Sequence, residues 1–539
     1  MTSKNDAPIS GVAALRAALD RALEPLARPP APPSLDRPKQ ADHGDFSTNA
    51  AMLLAKPLGA PPRDVAARIV PLLEDELGAV LNRVEVAGPG FINLFMSDAF
   101  MQASLAAFDP APLPARGESV NIEFVSANPT GPVHLGHARN AAYGDALARL
   151  LEFDGYAVTR EYYVNDAGSQ VANLAASVSA RARGEEVAQD GYQGQYVADL
   201  AAQIPGAAGM DADALRPLAV AAMLERIRQS LDRFGVRFDV WFSEGDLHSG
   251  RPSAVEHAFE LLERQGRLFE HEDALWVRTS DLGDDKDRVV RRSDGQHTYF
   301  ASDIAYHQEK RERGFDHMID VWGADHHGYV QRMKAAFQAL GGDPESLELL
   351  IMQFVHLVAA GEKVSMSKRA GSFETLDDLV DAVGVDAARW FLVNRSHDTT
   401  IEFDLDLATS ESSENPVYYV QYAHARIASI LRKVDSAQAP DPTASPVYGP
   451  LHPAERELVH KLLAFPAEMA EAGDRRAVHR VSAYALELAQ AFTAFYRDCQ
   501  VLGAEGAGAE QFRLGLCGAT QRTIAQALDL LGISAPETM

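Results

Sequence analysis

The sequence predicts an α/β protein: a doubly wound parallel-sheet core, with a small α+β module before it and an all-α bundle after it. Three observations carry this. SVNIEFVSANPTG, HARNAAYGDALARLLEFDG and YAVTREYYV read as strand, turn, helix and strand. Strand-like runs return at HMIDVWG and LLIMQFVHLV, and the pattern is helical from ENPVYYVQYAHARIASILRK to the end. With 539 residues, 46% of them hydrophobic, the chain has material for several cores. Its 50 basic against 76 acidic residues leave a net charge of −26, which excludes a protein that holds polyanions through overall charge. Nucleic-acid contact would have to use local basic patches.

The first module spans residues 1–113. Its opening amphipathic helix stops at RPPAPPSLDRP, because proline lacks the N–H and clashes with the preceding turn. PPRDVAARIVPLLEDEL then reads as a helix, and VEVAGPGFINLFM as a strand pair around a Gly-Pro-Gly turn. FDPAPLPARG marks the boundary to the core, residues 114–374, whose first strand ends in a loop where doubly wound sheets place ligands. Residues from about 170 to 295 mix Ala-rich helices with short strands such as ALWVRT and RVVRR, and read as an insertion. A connector over 375–410 leads to a bundle over 411–539, where Val417, Val420, Ile427, Ile430 and Leu431 form one apolar stripe. No apolar stretch of signal-peptide length follows MTSKNDAPIS. The longest apolar run, LLIMQFVHLVAA, is too short for a bilayer and holds Gln353 and His356. A soluble, cytoplasmic chain with no membrane partner is expected. Cys499 and Cys517 lie far from any CxxC spacing, so neither a disulfide framework nor a cysteine zinc site is indicated, and both read as small buried hydrophobes.

The most informative segment is FVSANPTGPVHLGHARN. His134 and His137 stand three apart at a helix start, where free N–H groups and the positive dipole end suit phosphate. Gly136 leaves room for a flat ring or a phosphate near the backbone. Two hydrogen-bonded surface histidines, or a metal pair short of ligands, fit the same spacing. In GEKVSMSKRAGSFETLDDLV, Lys363, Lys368 and Arg369 cluster in a segment that could close on a triphosphate. An ordinary solvated lysine loop is the alternative. GADHHGY offers Asp325, His326 and His327, but neighbours on an extended segment point in opposite directions, which argues against a mononuclear metal site. Glu123 on an apolar strand needs an explanation, and a solvent-facing place on an edge strand would supply one. Asp303 by itself fits a helix N-cap.

Jointly, HLGH and MSKR resemble the two signatures of class I aminoacyl-tRNA synthetases. EFVSANPTGPVHLGHARN, YYVNDAGSQ, RRSDGQHTYFASDIAYH, VWGADHHGY and VDAARWFLVNRS together resemble arginyl-tRNA synthetases. The resemblance implies a Rossmann-type catalytic domain that joins L-arginine to tRNA(Arg) at the expense of ATP through an arginyl-adenylate, releasing AMP and diphosphate. It implies catalytic roles for His134, His137 and Lys368, with ATP contacts from these and from Gly136, Gly323, Asp325, Met366 and Arg369. The arginine pocket would comprise Glu123, Asn128, Tyr299, Asp303 and His327, carboxylates being the acceptors that a planar guanidinium engages in a fork. Mg²⁺ would arrive with ATP, and no zinc is implied. The first module would touch the corner of the tRNA, the connector its acceptor stem, and the bundle its anticodon through Tyr418, Tyr422, Arg426 and Arg432, with the chain acting as a monomer. The resemblance also implies that the adenylate forms only with tRNA bound. Ser365 departs from the pattern, standing where the family commonly has the loop's first lysine, and Lys363 is the nearest replacement. Three rivals fit less well. A cysteinyl-type synthetase needs zinc-binding cysteines in the catalytic half, and a small-molecule nucleotidyltransferase has no use for the bundle. A non-catalytic RNA-binding paralogue would have eroded His134, His137, Lys368 and Asp303.

Overall fold

The computed structural model describes residues 9–363, 375–434, 449–506 and 508–539. Helix Gly11–Leu23 ends before the proline stretch, and the hairpin of Leu81–Ala87 and Phe91–Met96 takes Phe46–Thr48 as a third strand. Helix Pro62–Leu77 packs on it through Val65, Ile69 and Leu73, which recur at helical spacing and are fully buried.

The core sheet contains β1 (Ser119–Glu123), β2 (Ala157–Val164), β3 (Val240–Ser243), β4 (His317–Gly323) and β5 (Leu347–Met352). All five are parallel, in the order β5-β4-β1-β2-β3. Helix α1 (Leu135–Phe153) crosses from β1 to β2, and helix α2 (Tyr299–Glu312) leads into β4. The strand order reverses between β1 and β4, so the crevice at their carboxyl ends is the natural ligand site. The sheet and α1 approach closely because position 144 is glycine: a Cβ there would lie 2.2 Å from Cγ of Phe124.

Glu123 is not on an edge strand. β1 is central, and its Glu123 is the register partner of Asp320 on β4 and Glu161 on β2. Three carboxylates therefore stand side by side across the middle of the sheet, and like charges in that arrangement repel. Helix α2 supplies the compensation. Lys310 Nζ donates to Glu123 Oε2 at 2.6 Å and to Asp320 Oδ1 at 2.7 Å. Arg313, just past the helix, forks onto Glu161 at 2.7 and 2.8 Å, and the Tyr306 hydroxyl and Asn121 amide also donate to that carboxylate.

Two sequence readings need correction. The stretch read as an insertion over about 170–295 also contributes β3, the edge strand of the core sheet. VWFS is too short to show a period, and its aromatics fix it in place: Trp241 stacks on Tyr162 at 4.4 Å and Phe242 on Tyr163 at 6.1 Å. The run LLIMQFVHLV is two strands in two sheets. After β5 the chain turns at Gln353, whose N–H donates to His397 O at 2.8 Å, and Val355–Ala359 joins Glu362–Lys363 and Ile401–Asp404 in a separate three-stranded sheet.

Past α3 (Val385–Val393) come the bundle helices α4 (Pro416–Leu431), α5 (Pro453–Asp474), α6 (His479–Asp498) and α7 (Ala509–Leu530). Cys499 and Cys517 are buried free thiols. Among the described residues no helix is long and apolar enough to cross a membrane. Asp45 of the first module accepts from Arg456 at 2.5 Å and His460 at 2.7 Å of α5, and these partners hold its pKa down at about 2 despite burial. Arg389 of α3, fully buried, joins three parts of the chain: it donates to Asp145 of α1 at 2.5 Å, Phe234 O at 3.1 Å and Leu531 O at 2.7 Å. Arg389→Met would leave Asp145 and both carbonyls without that donor. We expect a loss of about 3–5 kcal/mol of stability, seen as an earlier urea midpoint.

Candidate active site

The turn after β1 is built under strain. Val125 and Ser126 have φ of 69° and 40°, a region that a β-branched residue occupies only when its surroundings compel it. The compelling contacts are visible. The Val125 N–H donates to Asn140 Oδ1 at 2.7 Å, the Asn140 amide donates to Val321 O at 2.8 Å, and Ser126 Oγ donates to Glu123 Oε1 at 2.9 Å. They carry the chain away from the sheet so that Asn128 is exposed at the mouth of the crevice.

Helix α1 then begins at the crevice. His134 is its N-cap, and its Nδ1 accepts from the Gly136 N–H at 3.0 Å. Gly136 is exposed, and a Cβ there would meet only His134, at 3.3 Å from Nδ1. His137 is turned inward one helical step later, and among the described residues its buried Nδ1 has no hydrogen-bond partner. Burial first, and then repulsion from His134, lower its pKa below 6.5. Two residues on, buried Arg139 donates to the carbonyls of Gln353, Leu392, Ser396 and Thr399 at 2.8–3.3 Å. The helix start is also tied to the segment beyond, since Leu376 N–H donates to Val133 O at 2.9 Å.

A second group of side chains lies across the crevice. Thr298, not Asp303, caps α2; Asp303 sits inside the helix, where burial raises its pKa and the hydroxyl of Tyr329 donates to it. Tyr299, one turn earlier, is 69% exposed and does not share that hydrogen bond. Glu244, at the end of β3, faces the same space. Its pKa is pushed up to about 7 by burial and then by the charges of Asp303 and Asp166, while the Tyr163 hydroxyl donates to it. Asp166 is tied down by Ser243 Oγ at 2.6 Å and Gly245 N–H at 3.0 Å. The charge of Asp303 raises the pKa of Glu244, and among the described residues neither carboxylate forms an ion pair, an arrangement suited to a cationic ligand.

GADHHGY forms a 3₁₀ helix, Ala324–Tyr329, rather than an extended segment. Its side chains therefore do not point in alternate directions as they would on a strand. Asp325, His326 and His327 are exposed, and His326 pairs with Asp325 at 3.4 Å. Gly323, at the end of β4, faces Asp325: a Cβ on it would lie 2.6 Å from Asp325 Oδ1. Among the described residues no group of three or more His, Cys, Asp or Glu side chains is placed to hold a metal.

Three family models match successive parts of the chain. They are the arginyl tRNA synthetase N terminal domain over residues 13–96, the catalytic domain of class I (R) tRNA synthetases over 105–202 and 211–428, and the DALR anticodon binding domain over 420–539. The arginine–tRNA ligase of Carboxydothermus hydrogenoformans is 45% identical, over 94% of this chain and 94% of that one. That of Kineococcus radiotolerans is 46% identical, over 98% and 99%. The solved structure of Thermus thermophilus arginyl-tRNA synthetase superimposes with a TM-score of 0.78 at 26% identity, covering 98% of this chain and all of that one. The chain belongs to the arginyl-tRNA synthetase family.

It is a class I synthetase with arginine–tRNA ligase activity. Of the residues singled out from the arginyl-tRNA synthetase resemblance, the fold gathers Glu123, Asn128, His134, Gly136, His137, Asp303, Gly323, Asp325 and His327 around the carboxyl ends of β1 and β4 and the starts of α1 and α2. Ser365, Met366, Lys368 and Arg369 lie outside the described residues. Lys363 is exposed and 3.7 Å from Glu402. In the bundle Tyr418 and Tyr422 stack at 6.2 Å, and the Arg426 guanidinium lies 4.8 Å from the Tyr422 ring and 5.4 Å from that of Tyr496. Arg432 donates instead to Glu537 O at 3.2 Å, and Arg476 turns inward to fork onto Glu348.

The sequence reading missed Glu244, Tyr163, Tyr329 and Tyr496. A signal existed for the first two: an acidic residue directly after an aromatic strand, and a tyrosine in YYVNDAGSQ. Imidazole NMR of histidine-labelled protein should show His137 losing its proton below pH 6.5, as its lowered pKa requires. His134→Gln, which removes the neighbouring charge, should move that midpoint upward.

Proposed function

We propose that arginine lies between the carboxylates of α2 and β3 and the start of α1, with its carboxylate facing ATP. The observation that carries this reading is the pairing of half-buried Asp303 with buried Glu244 at one end of a crevice whose other end is a helix N-terminus flanked by His134 and His137. The guanidinium would be gripped by Asp303 and Glu244, with Tyr299 and His327 at the rim. The α-ammonium would meet Glu123 and Asn128. MgATP enters as substrate, its ribose at Gly323 and Asp325 and its phosphates at the N–H groups of α1, beside His134 and His137. Gly136 keeps that approach open. Lys368, with Met366 and Arg369, is assigned to the nucleotide on the resemblance alone.

In the first step an arginine carboxylate oxygen attacks the α-phosphorus, the bond to the bridging oxygen breaks, and diphosphate leaves. In the second a ribose hydroxyl at the tRNA end attacks the acyl carbon and AMP leaves. Neither step needs a covalent enzyme intermediate, so alignment and charge stabilisation do the work. His137 suits this part because it is neutral at the working pH and can donate to phosphoryl oxygens as charge grows there. The same reading has the chain meet tRNA(Arg) as a cytoplasmic monomer, with the first module at the corner, residues 375–410 at the stem, and the Tyr418, Tyr422, Arg426 and Tyr496 cluster stacking on unpaired bases. Arg432 contributes charge near that cluster.

A charging assay with MgATP, bulk tRNA and each of the twenty amino acids tests the reading. Arginine alone should be attached, and attachment of another amino acid would overturn it. Asp303→Asn should raise the arginine KM by roughly ten- to a hundredfold, the worth of one charge-assisted hydrogen bond, and leave the ATP KM within about twofold. Equal rises in both would remove Asp303 from the pocket. Glu244 supplies a pH test. In the free protein it is protonated below about 7 and ionised above, so arginine affinity should strengthen between about pH 6 and pH 8, and Glu244→Gln should flatten that dependence.

A further inference from the structure

The α2 face that meets the sheet is not apolar. Asp303, Tyr306, His307 and Lys310 recur at helical spacing, and behind the arginine pocket the last three meet the carboxylates of β2, β4 and β1. His307 is fixed by two acceptors. Its Nδ1 lies 2.7 Å from the backbone oxygen of Asp303, which has no proton to give, and its Nε2 lies 2.8 Å from Asp320 Oδ2. Asp320 takes Lys310 on its other oxygen, and its pKa is depressed to about 2, with Lys310 and His307 as the lowering partners. Since Asp320 is ionised, both imidazole nitrogens must carry hydrogens, and His307 is an imidazolium. Burial and the charge of Asp320 raise the pKa of Glu123 and Lys310 pulls it back; with both carboxylates ionised, the two negative charges balance those of Lys310 and His307.

We propose that His307 and Lys310 are positioning residues for arginine, two fixed buried cations that hold the Glu123 carboxylate at one end of the substrate and the Asp303 turn at the other as one charge-balanced unit. The proposal rests on the assignment of Asp303 and Glu123 to the substrate's cationic ends. The physics is direct. Asp303, Glu244, Glu123, Asp320, Asp166 and Glu161 crowd one region, and a crowd of buried carboxylates takes up protons and ceases to attract a guanidinium. Lys310 aims Glu123 by occupying Oε2, which leaves Oε1, held among the described residues only by Ser126 Oγ, toward the crevice turn. His307 clamps the Asp303 carbonyl and places a positive charge one turn behind the Asp303 carboxylate, which favours its ionised form. The other groups facing the pair are Tyr306, whose ring lies 4.3 Å from Lys310 Nζ, and Glu161, which Arg313 neutralises.

The test compares His307→Gln, Asp320→Asn and Asp303→Asn with the parent in arginine and ATP KM measurements across pH, together with ¹⁵N NMR of labelled histidine. The parent should show an imidazole with both nitrogens protonated at about pH 7.5. His307→Gln should raise the arginine KM by roughly tenfold or more at neutral pH, leave the ATP KM near the parent value, and recover part of the loss at higher pH as Asp303 re-ionises. Asp320→Asn is isosteric and puts an amide where His307 needs an acceptor. It should neutralise the imidazole and give the same arginine-specific loss, so the proposal stays testable should His307→Gln fail to fold. A neutral His307 in the parent, or equal rises in both KM values without recovery at higher pH, would overturn the proposal. If Asp303→Asn is itself unselective for arginine, the underlying pocket assignment falls as well; if it is selective and His307→Gln is not, only the role of the cations falls.

Discussion

The ammonium of Lys310 between Glu123 and Asp320 is the contact on which the rest of the structure depends. Without it, carboxylates at one register on adjacent central strands would face each other in the driest part of the sheet. Burying such charges is expensive, and an apolar set of the same shape would serve folding equally well or better. A fold that accepts the expense at the carboxyl end of its central strand does so where ligands bind. The same constraint explains why α2 must lie where it does, and hence why Asp303 faces the crevice.

Around that fixed point the other parts are fastened by further cations, two of them buried and one half-buried. Arg139 ties the start of α1 to four carbonyls near α3, and Arg389 ties α3 to α1 and to the end of the bundle. Arg456 ties the bundle to the first module through Asp45. Arginine suits this work, because its donors spread over several acceptors and its charge is not easily lost. A chain of such contacts links the helical bundle to the helix that carries His134 and His137.

Much of this was legible in the sequence. Periodicity located α1, the hairpin of the first module, the first bundle helix and the helical character of the rest of the bundle, because long or strongly alternating segments carry their own signal. HLGH read correctly as a helix start beside a strand end, since a turn followed by helical spacing leaves few other options. What failed was local or non-local in a way that one segment cannot show. VWFS is too short to be recognised as a core strand, and LLIMQFVHLV hides its break because both halves are apolar. Glu244 reaches the crevice only through the pairing of β3 with β2. Glu123 was noticed, but its cation lies far along the chain on α2, and without Lys310 an edge strand was the natural explanation.

A crystal structure with a non-hydrolysable arginyl-adenylate analogue bound would test the central claim most directly. The account requires the guanidinium between Asp303 and Glu244, the α-amino group near Glu123 and Asn128, and the phosphate mimic at the start of α1 beside His134 and His137, with Lys310 still bridging Glu123 and Asp320. An analogue bound with its guanidinium turned toward α1, or with Lys310 withdrawn from Glu123, would contradict it.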